Sequence, residues 1–255
     1  MKIEAVVICV NYSDFLAHTL PANKNLFDRL TVVSAPYDKK TQKLCEYHHV
    51  NCLVTNDMHH ENAPFNKGRA INVGLNDLKY HDWVVHLDAD IYLPPMTRTI
   101  MQGLELDRNV IYGIDRMMCP NYREWLRFIE QPILQQENDV FVHLHAFPVG
   151  TRIAKKDYGG FVPLGFFQMW HASTGRLSYP TEHVDAGQSD LSFALQWSRR
   201  DRHFLPELIA IHLDSEPEVP GKMGDNWVGR KTKPFSVDVL CDPDPVVVSA
   251  TEKSY

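Results

Sequence analysis

The sequence predicts an α/β protein with a mostly parallel central sheet flanked by helices. Two observations carry this prediction. Short runs of β-branched residues alternate with segments of helical spacing along the first half of the chain, which is the pattern of strand–helix–strand units. The runs are also apolar throughout, as expected of strands that are buried on both faces of a parallel sheet.

Five runs and three helical segments make up this first half. The helical spacing is clearest in the third segment, where Ala70, Ile71, Gly74 and Leu75 fall on one face. The predicted strands are Ala5–Val10, Leu30–Ala35, Cys52–Thr55, Trp83–Leu87 and Val110–Ile114, and the predicted helices are Asp14–Leu26, Lys39–His48 and Lys67–Leu78.

The pattern becomes irregular after Asp115. The elements predicted here are helices at Glu124–Gln136 and Gln188–Arg199 and strands at Val140–Phe147 and Ile209–Leu213. We interpret this part as an addition to the same sheet, so the sequence predicts a single domain over residues 1–255, with halves at 1–115 and 116–240 and a tail at 241–255.

Composition excludes several classes of protein. The 255 residues carry 26 basic and 32 acidic side chains, and a net charge of −6 disfavours attachment to nucleic acid by bulk charge. No apolar run approaches the ~20 residues that span a bilayer, and the start of the chain lacks the pattern of a secretory signal. The five cysteines include no C-x-x-C pair, so we expect a cytoplasmic protein without disulfides or structural zinc.

The segment with the clearest chemistry is Asp88-Ala89-Asp90, which directly follows a buried strand. Residues i and i+2 of an extended chain point the same way, so both carboxylates are expected at the carboxyl edge of the sheet, where open α/β sheets bind ligands. Two adjacent carboxylates repel each other unless a cation lies between them, and a divalent, oxygen-preferring metal fits. The alternative is that they cap a turn, because Pro94-Pro95 follow at once.

A second segment lies upstream, Phe65–Leu75, with the sequence FNKGRAINVGL. Together with the strand that ends in D-x-D it resembles the GT-A glycosyltransferases. It is similar to the family-2 pattern, with Asn, Gly, Ala, Asn and Gly in that order, and to the FN and NVG stretch of β-1,4-galactosyltransferases. The resemblance implies a GT-A fold in which residues 1–115 bind a nucleotide sugar and the second half supplies the acceptor and catalytic groups.

The resemblance also implies donor-binding residues. Asn66 can cap the helix, and Lys67 or Arg69 would meet phosphate, although solvated basic residues on an amphipathic helix are the alternative. Asn11 and Tyr12, after the first strand, would lie at the base and ribose. A Gly-rich basic loop over 221–231 would fold over the diphosphate, or be an exposed polar loop; its implied donor-binding residues are Trp227, Arg230 and Lys231.

Relatives place an acidic base at the start of a late helix, which corresponds to Asp190, with Asp185 in reserve. Ser189 stands where the usual acidic pair has its first residue, and an aspartate favoured by the helix dipole is the alternative. His212, in a late strand, corresponds to a histidine metal ligand. The implied metal ligands are Asp90 and His212, with Asp88 reaching the ribose or binding the metal through water; an imidazole favours Mn²⁺ over Mg²⁺.

In the family that the sequence resembles, the segment that corresponds to residues 159–171 forms the wall of the acceptor-binding site. The alternative is that the aromatic residues of this segment belong to the hydrophobic core. The implied acceptor-binding residues are Gly165, Gln168, Trp170 and His171.

The resemblance thus implies a metal-dependent, inverting glycosyltransferase that moves a sugar from a nucleotide-diphosphate sugar, with UDP-sugars favoured, to a hydroxyl acceptor. A nucleotidyltransferase is the first alternative, although the loop after the first strand lacks its glycines, and a non-catalytic sugar-nucleotide-binding module is the second. The acceptor would be a glycan or a modified base in phage DNA, which the basic run Arg199–His203 would contact; a phage protein would act in the host cytoplasm.

Overall fold

The computed structural model describes residues 1–130, 159–176, 178–217 and 232–236, and the backbone alone of 153–155. Its strands are β1 (Ile3–Ile8), β2 (Arg29–Ser34), β3 (Asn51–Val54), β4 (Trp83–Asp88), β5 (Ile91–Tyr92), β6 (Ile111–Cys119), β7 (Ile153–Lys155), β8 (Gly160–Val162), β9 (Phe167–His171) and β10 (Arg202–Leu213). Its α-helices are α1 (Ser13–Asn23), α2 (Lys39–Tyr47), α3 (Lys67–Leu75), α4 (Thr97–Gly103), α5 (Tyr122–Ile129) and α6 (Ser189–Ala194).

Eight of these strands form one sheet in the order β3-β2-β1-β4-β9-β6-β10-β5, and β7 and β8 form a separate pair. Strands β1 to β4 are parallel. Strand β9 runs antiparallel between β4 and β6, and β10 is parallel to β6. The late strands therefore extend the same sheet as the early ones, as the sequence predicts.

Strand β1 shows why the early runs are apolar throughout. Ile3, Ala5 and Val7 pack into one core cluster, and Val6 and Ile8 pack into another. Because successive side chains point to opposite faces, both faces of this strand are covered. The prediction of a buried, mostly parallel sheet in the first half is confirmed.

The element bounds differ from the predictions where local interactions override the pattern. The predicted strand Val110–Ile114 continues to Cys119, because Asp115 and Arg116 keep pairing with β10. The predicted helix Gln188–Arg199 is wrong after Ala194, because the chain tightens into i→i+3 turns that bury Trp197. Strand β9 is absent from the predictions.

Two other predictions extend beyond the described residues. Helix α5 begins at Tyr122, where the Asn121 side chain accepts a hydrogen bond from the Glu124 backbone N–H, and its predicted end at Gln136 lies outside. So does the predicted strand Val140–Phe147. None of the described helices has both the length and the apolar character needed to cross a membrane.

Helix α3 is held very close to the sheet. A Cβ on Gly74 would lie 2.3 Å from Val6 Cγ1, so only glycine allows this approach of helix to strand. The contact carries the first residue of α3, Lys67, to the carboxyl ends of β1 and β4.

Candidate active site

A cleft of about 680 Å³ opens at the carboxyl ends of β1, β2 and β4. Chain segments from both halves line it, which include the residues after β1, the D-x-D segment, the turn before β9, the start of α6 and the end of β10. Its charged lining residues are Lys67, Arg116, Asp88, Asp90, Asp190 and Asp214.

Asp88 ends β4 and is bound by a lysine. Lys67 Nζ lies 2.5 Å from Asp88 Oδ1, and the His86 ring, fully buried, lies behind it with Nε2 at 3.7 Å. Burial raises the pKa of Asp88, and the Asp90 and Asp190 carboxylates add to that rise against the opposing effect of Lys67. This carboxylate is therefore engaged by protein charge before any ligand binds.

Asp90 is brought next to His212 by a two-residue strand. β5 pairs antiparallel with the end of β10, so that Ile91 faces His212, and the Leu213 N–H donates to the Asp90 carbonyl at 2.9 Å. His212 Nε2 then lies 3.3 Å from Asp90 Oδ2. The two predicted metal ligands, one early and one late in the chain, are thus neighbours.

The electrostatics of this pair fit a divalent cation. Burial alone would raise the pKa of Asp90, but His212 and Lys67 hold it below its usual value. Asp90 Oδ1 is buried and makes no hydrogen bond. Asp88 has a raised pKa and Asp90 a lowered one, which is how two neighbouring carboxylates behave when their charges repel each other. A cation could bind the Asp90 oxygen that has no hydrogen-bond partner.

A cation at this place would need ligands from outside the described protein. Across the residues with described positions, no three His, Cys, Asp or Glu side chains group closely enough to hold a metal. The described residues that line the cleft include four carboxylates and two basic groups, Lys67 and Arg116, so a diphosphate bound among them would meet net negative charge. A divalent ion shared between Asp90, His212 and phosphate oxygens fits both facts.

Asp190, the predicted base, lies in the cleft at the start of α6. Its Oδ2 accepts a hydrogen bond of 2.6 Å from the Gly165 N–H. A Cβ on Gly165 would come within 2.6 Å of that same oxygen, so the glycine is required for the approach. Asp185, the reserve, accepts from the Gly187 N–H within its own turn at 2.8 Å and does not line the cleft.

The predicted donor-binding residues divide into two groups. Asn11, Tyr12, Lys67 and Asp88 line the cleft. Arg69 does not line it.

Asn66 acts within the fold. Its Oδ1 accepts from the Arg69 N–H at 3.0 Å and its Nδ2 donates to the Thr181 carbonyl at 2.8 Å. It caps α3, as its residue type predicts, and is buried away from the cleft. Gly68 likewise contacts protein, since a Cβ there would lie 2.2 Å from the Pro180 carbonyl oxygen. Trp227, Arg230 and Lys231 lie outside the described residues.

Of the predicted acceptor residues, Gly165 alone lines the cleft. Gln168 is fully buried, and its Nε2 donates to the carbonyls of Pro163 and Asp190 at 2.9 Å each. Trp170 is fully buried in the core. His171 is at the far end of β9, opposite Trp83, and pairs with Asp82 at 2.9 Å. The predicted wall is therefore wrong in its geometry at Gln168, Trp170 and His171, and the part of this segment that lines the cleft is Leu164, Gly165 and Phe166.

Sequence reasoning missed Arg116, which lines the cleft and donates from Nη1 to His212 Nδ1 at 2.7 Å. It also missed Tyr37 and His59, which lie in the cleft with the Tyr37 hydroxyl 2.8 Å from His59 Nε2. Asp214 is a further lining residue. The apolar run that predicts this strand ends at Ile114, two residues before Arg116, so the pattern gives no sign that Arg116 reaches the site. Tyr37 follows the end of β2, and this position at the carboxyl edge of the sheet is a signal that could have identified it.

The basic run Arg199–His203 lies at the start of β10, ten residues from His212. Arg202 pairs with Ile111 and His212 pairs with Met118 of β6, with an irregularity of β10 in between. The seven residue steps from Ile111 to Met118, at ~3.3 Å each, place Arg202 roughly 23 Å from the site. Arg202 is buried, with 6% of its surface exposed. The run is therefore distant from the cleft, and one of its arginines is turned inward.

Comparisons with known proteins bear on the fold. No protein-family model matches the sequence, and no curated protein matches it. Among solved structures, the glucosyl-3-phosphoglycerate synthase of Mycobacterium tuberculosis superposes with a TM-score of 0.50 at 13% identity, covering 86% of this chain and 74% of that one. A complex of that enzyme with Mn²⁺, UDP and glucosyl-3-phosphoglycerate also gives 0.50 at 13% identity, covering 83% and 71%.

A mannosyl-3-phosphoglycerate synthase of Rubrobacter xylanophilus is 20% identical over 46% of this chain, with a TM-score of 0.37. The matched part spans 41% of that protein's length. Since the identities are low, the two superpositions with a TM-score of 0.50 show the fold alone. This chain has the mixed α/β fold of the GT-A glycosyltransferases.

Proposed function

We propose that this protein is a metal-dependent, inverting glycosyltransferase that takes a sugar from a nucleotide-diphosphate donor, with UDP-sugars favoured, and passes it to a hydroxyl acceptor. One observation carries the proposal: a carboxylate–imidazole pair with an orphaned oxygen, Asp90 and His212, shares a cleft with a separately held carboxylate, Asp190. The crystallised neighbour that binds Mn²⁺ and UDP supports the choice of donor and metal.

The donor would lie along the carboxyl ends of β1 and β4. Asn11 and Tyr12 face the nucleoside, and the Tyr37 and His59 rings beside them offer faces on which a base can stack. Lys67 holds Asp88 in place next to the ribose or a metal-bound water. Asp90 and His212 would hold the cation, which when bound offsets the charge that develops on the leaving diphosphate.

Asp190 would act as the base. The Gly165 N–H donates to one carboxylate oxygen of Asp190. Gln168 Nε2 donates to the Asp190 backbone carbonyl, and the Tyr179 hydroxyl donates to Gln168 Oε1. The carboxylate takes the proton of the acceptor hydroxyl as the oxygen attacks the anomeric carbon in line, and the configuration at that carbon inverts. The acceptor is a hydroxyl compound, a glycan or a hydroxylated base in DNA, and the distance of Arg199–His203 from the cleft favours the glycan.

A donor screen tests the proposal. UDP-, GDP- and dTDP-sugars are incubated with the protein and Mn²⁺, and release of the free nucleoside diphosphate is measured with and without chelator. We expect release from one base class, abolished by chelator and restored by added Mn²⁺. If the chelator left nucleoside diphosphate release unchanged with every donor, the metal-dependent mechanism would be wrong. If the protein neither bound any donor nor released its nucleoside diphosphate, the glycosyltransferase assignment would be wrong.

Substituting Gly165 by alanine is expected to lower kcat by about 10²-fold, because a shift of about 1 Å in a catalytic group costs this much. The new Cβ would lie 2.6 Å from the Asp190 carboxylate and push it from its place. The matched control is Gly103→Ala in α4, where a Cβ meets no atom within 4 Å. Urea unfolding of both variants separates lost positioning from lost folding, and a Gly165→Ala enzyme with the wild-type kcat would argue against Asp190 as the base.

A further inference from the structure

The contact between Arg116 and His212 determines where the imidazole carries its proton. Arg116 Nη1 lies 2.7 Å from His212 Nδ1. A guanidinium has donors and no acceptor, so Nδ1 accepts in this contact and the ring N–H is the one on Nε2. That N–H faces Asp90 Oδ2 at 3.3 Å. As described, His212 has no lone pair available for a metal.

We propose that Arg116 binds the diphosphate of the donor, and that it becomes available for this when a divalent cation takes His212. This inference rests on the proposed function. A cation on Nδ1 displaces Arg116 directly. If a cation binds Nε2, the ring proton has to be on Nδ1. The Nδ1–H and the Arg116 N–H would then both be donors, and no hydrogen bond could form between them. Either way, the Arg116 contact is lost.

The released guanidinium has a phosphate-binding geometry. Arg116 Cζ lies 4.6 Å from the centroid of the Phe166 ring, which supports the guanidinium as a plane in the cleft. Its Nε is buried without a hydrogen-bond partner, so one donor of the fork is unused. Two parallel N–H groups match two phosphate oxygens.

The other basic side chain of the described cleft lining is already engaged. Lys67 is bound to Asp88 at 2.5 Å, whereas Arg116 is bound to the His212 ring, which the cation would take over. Because the cation and Arg116 share His212, the freed guanidinium lies beside whatever anion the cation holds. Cation binding and diphosphate binding then strengthen each other, and the coupling is reciprocal.

The first test reads the ring of His212 directly. Long-range ¹H–¹⁵N spectra of the ¹⁵N-histidine-labelled protein are recorded without metal and with Zn²⁺, a diamagnetic probe that imidazole binds; the His212 signals are those missing from His212→Gln. We expect the Nε2-protonated tautomer without metal and loss of that tautomer with Zn²⁺. An Nδ1-protonated ring in the metal-free protein overturns the inference and leaves the proposed function standing.

The second test uses two variants at position 116. Gln in Arg116→Gln can turn its amide to accept from Nδ1–H, whereas Lys in Arg116→Lys keeps the positive charge and the obligatory donors. Mn²⁺ affinity is measured by EPR of the free ion, and pyrophosphate affinity by calorimetry in excess Mg²⁺, which avoids any dependence on the base. We expect Arg116→Gln to bind Mn²⁺ about tenfold more tightly, since no charge-assisted hydrogen bond must be broken.

The same variant should bind pyrophosphate about tenfold more weakly, with Arg116→Lys between it and the wild type. This opposite movement supports the inference, because a merely structural role would weaken both affinities together. Unchanged or weaker Mn²⁺ binding by Arg116→Gln overturns it, as does unchanged pyrophosphate affinity. A wild-type protein that binds no Mn²⁺ overturns it together with the metal dependence of the proposed function, so the two failures are distinguishable.

Discussion

Replacing Asp190 by asparagine is expected to lower kcat for sugar transfer by about 10²–10⁴-fold, the range contributed by a positioned general base. The amide keeps the size of the side chain, and its oxygen can still accept from the Gly165 N–H, so the start of α6 should stay in place. What is lost is the ability to take the acceptor proton. Initial rates at saturating donor and acceptor give kcat, and calorimetry gives donor affinity, which should change little.

Asp185→Asn is the matched control for this experiment. It lies in the turn just before α6, carries the same substitution, and its carboxylate is engaged by Gly187 within that turn. We expect it to retain most of the wild-type kcat. If Asp190→Asn kept the wild-type kcat, the base assignment would be wrong and a retaining mechanism, which needs no such base, would become the better explanation. A fall in kcat for Asp185→Asn alone would transfer the role to the reserve residue.

Replacing Asp90 by asparagine is expected to weaken Mn²⁺ binding by at least about 100-fold, because even the outer partners of metal ligands cost 10–100-fold when removed. The carboxylate supplies the orphaned oxygen of the site, and the amide offers one weaker acceptor in its place. Activity at low Mn²⁺ should be lost and partly recovered at high Mn²⁺. EPR of free Mn²⁺ measures the affinity, and rates over a Mn²⁺ series measure the recovery.

Asp88→Asn provides the comparison, since it makes the same change two residues away on the same edge of the sheet. The Asp88 carboxylate is bound to Lys67 at 2.5 Å, so its removal should weaken binding of the donor more than binding of the metal. The two variants should therefore differ, with metal affinity lost mainly in one and donor affinity mainly in the other. Equal loss of Mn²⁺ binding in both would show that the two aspartates act as a joint chelate, against the roles proposed here.

Much of the sheet and the position of the two carboxylates could be predicted because they depend on local patterns. The apolar run before Asp88 is buried on both faces, and i, i+2 geometry directs Asp88 and Asp90 to one edge. The cap at Asn66 is equally local. The resemblance added that a late histidine and a late aspartate would join them, and the structure brings His212 and Asp190 into the same cleft.

The remainder depends on pairing between distant segments. Strand β5 has two residues, too few to show a period, yet its pairing with β10 sets His212 beside Asp90. The run Phe167–His171 has the composition of a ligand-binding wall and of a buried strand alike, and its pairing with β4 decides for the strand. Arg116 reaches the cleft because pairing with β10 continues β6 beyond Ile114, where the apolar run in the sequence ends.

Strand β10 has a consequence for the order in which the protein matures. Its end supplies His212, and Arg116 and His212 are 96 positions apart in the chain. Contacts of such separation form late, since the intervening chain must close first. During synthesis, β1 to β4 can be complete while Asp90 still lacks its imidazole. The nascent protein therefore passes through a stage in which its sheet is largely built but its cation site is not, and that site becomes complete only once nearly all of the described chain has left the ribosome.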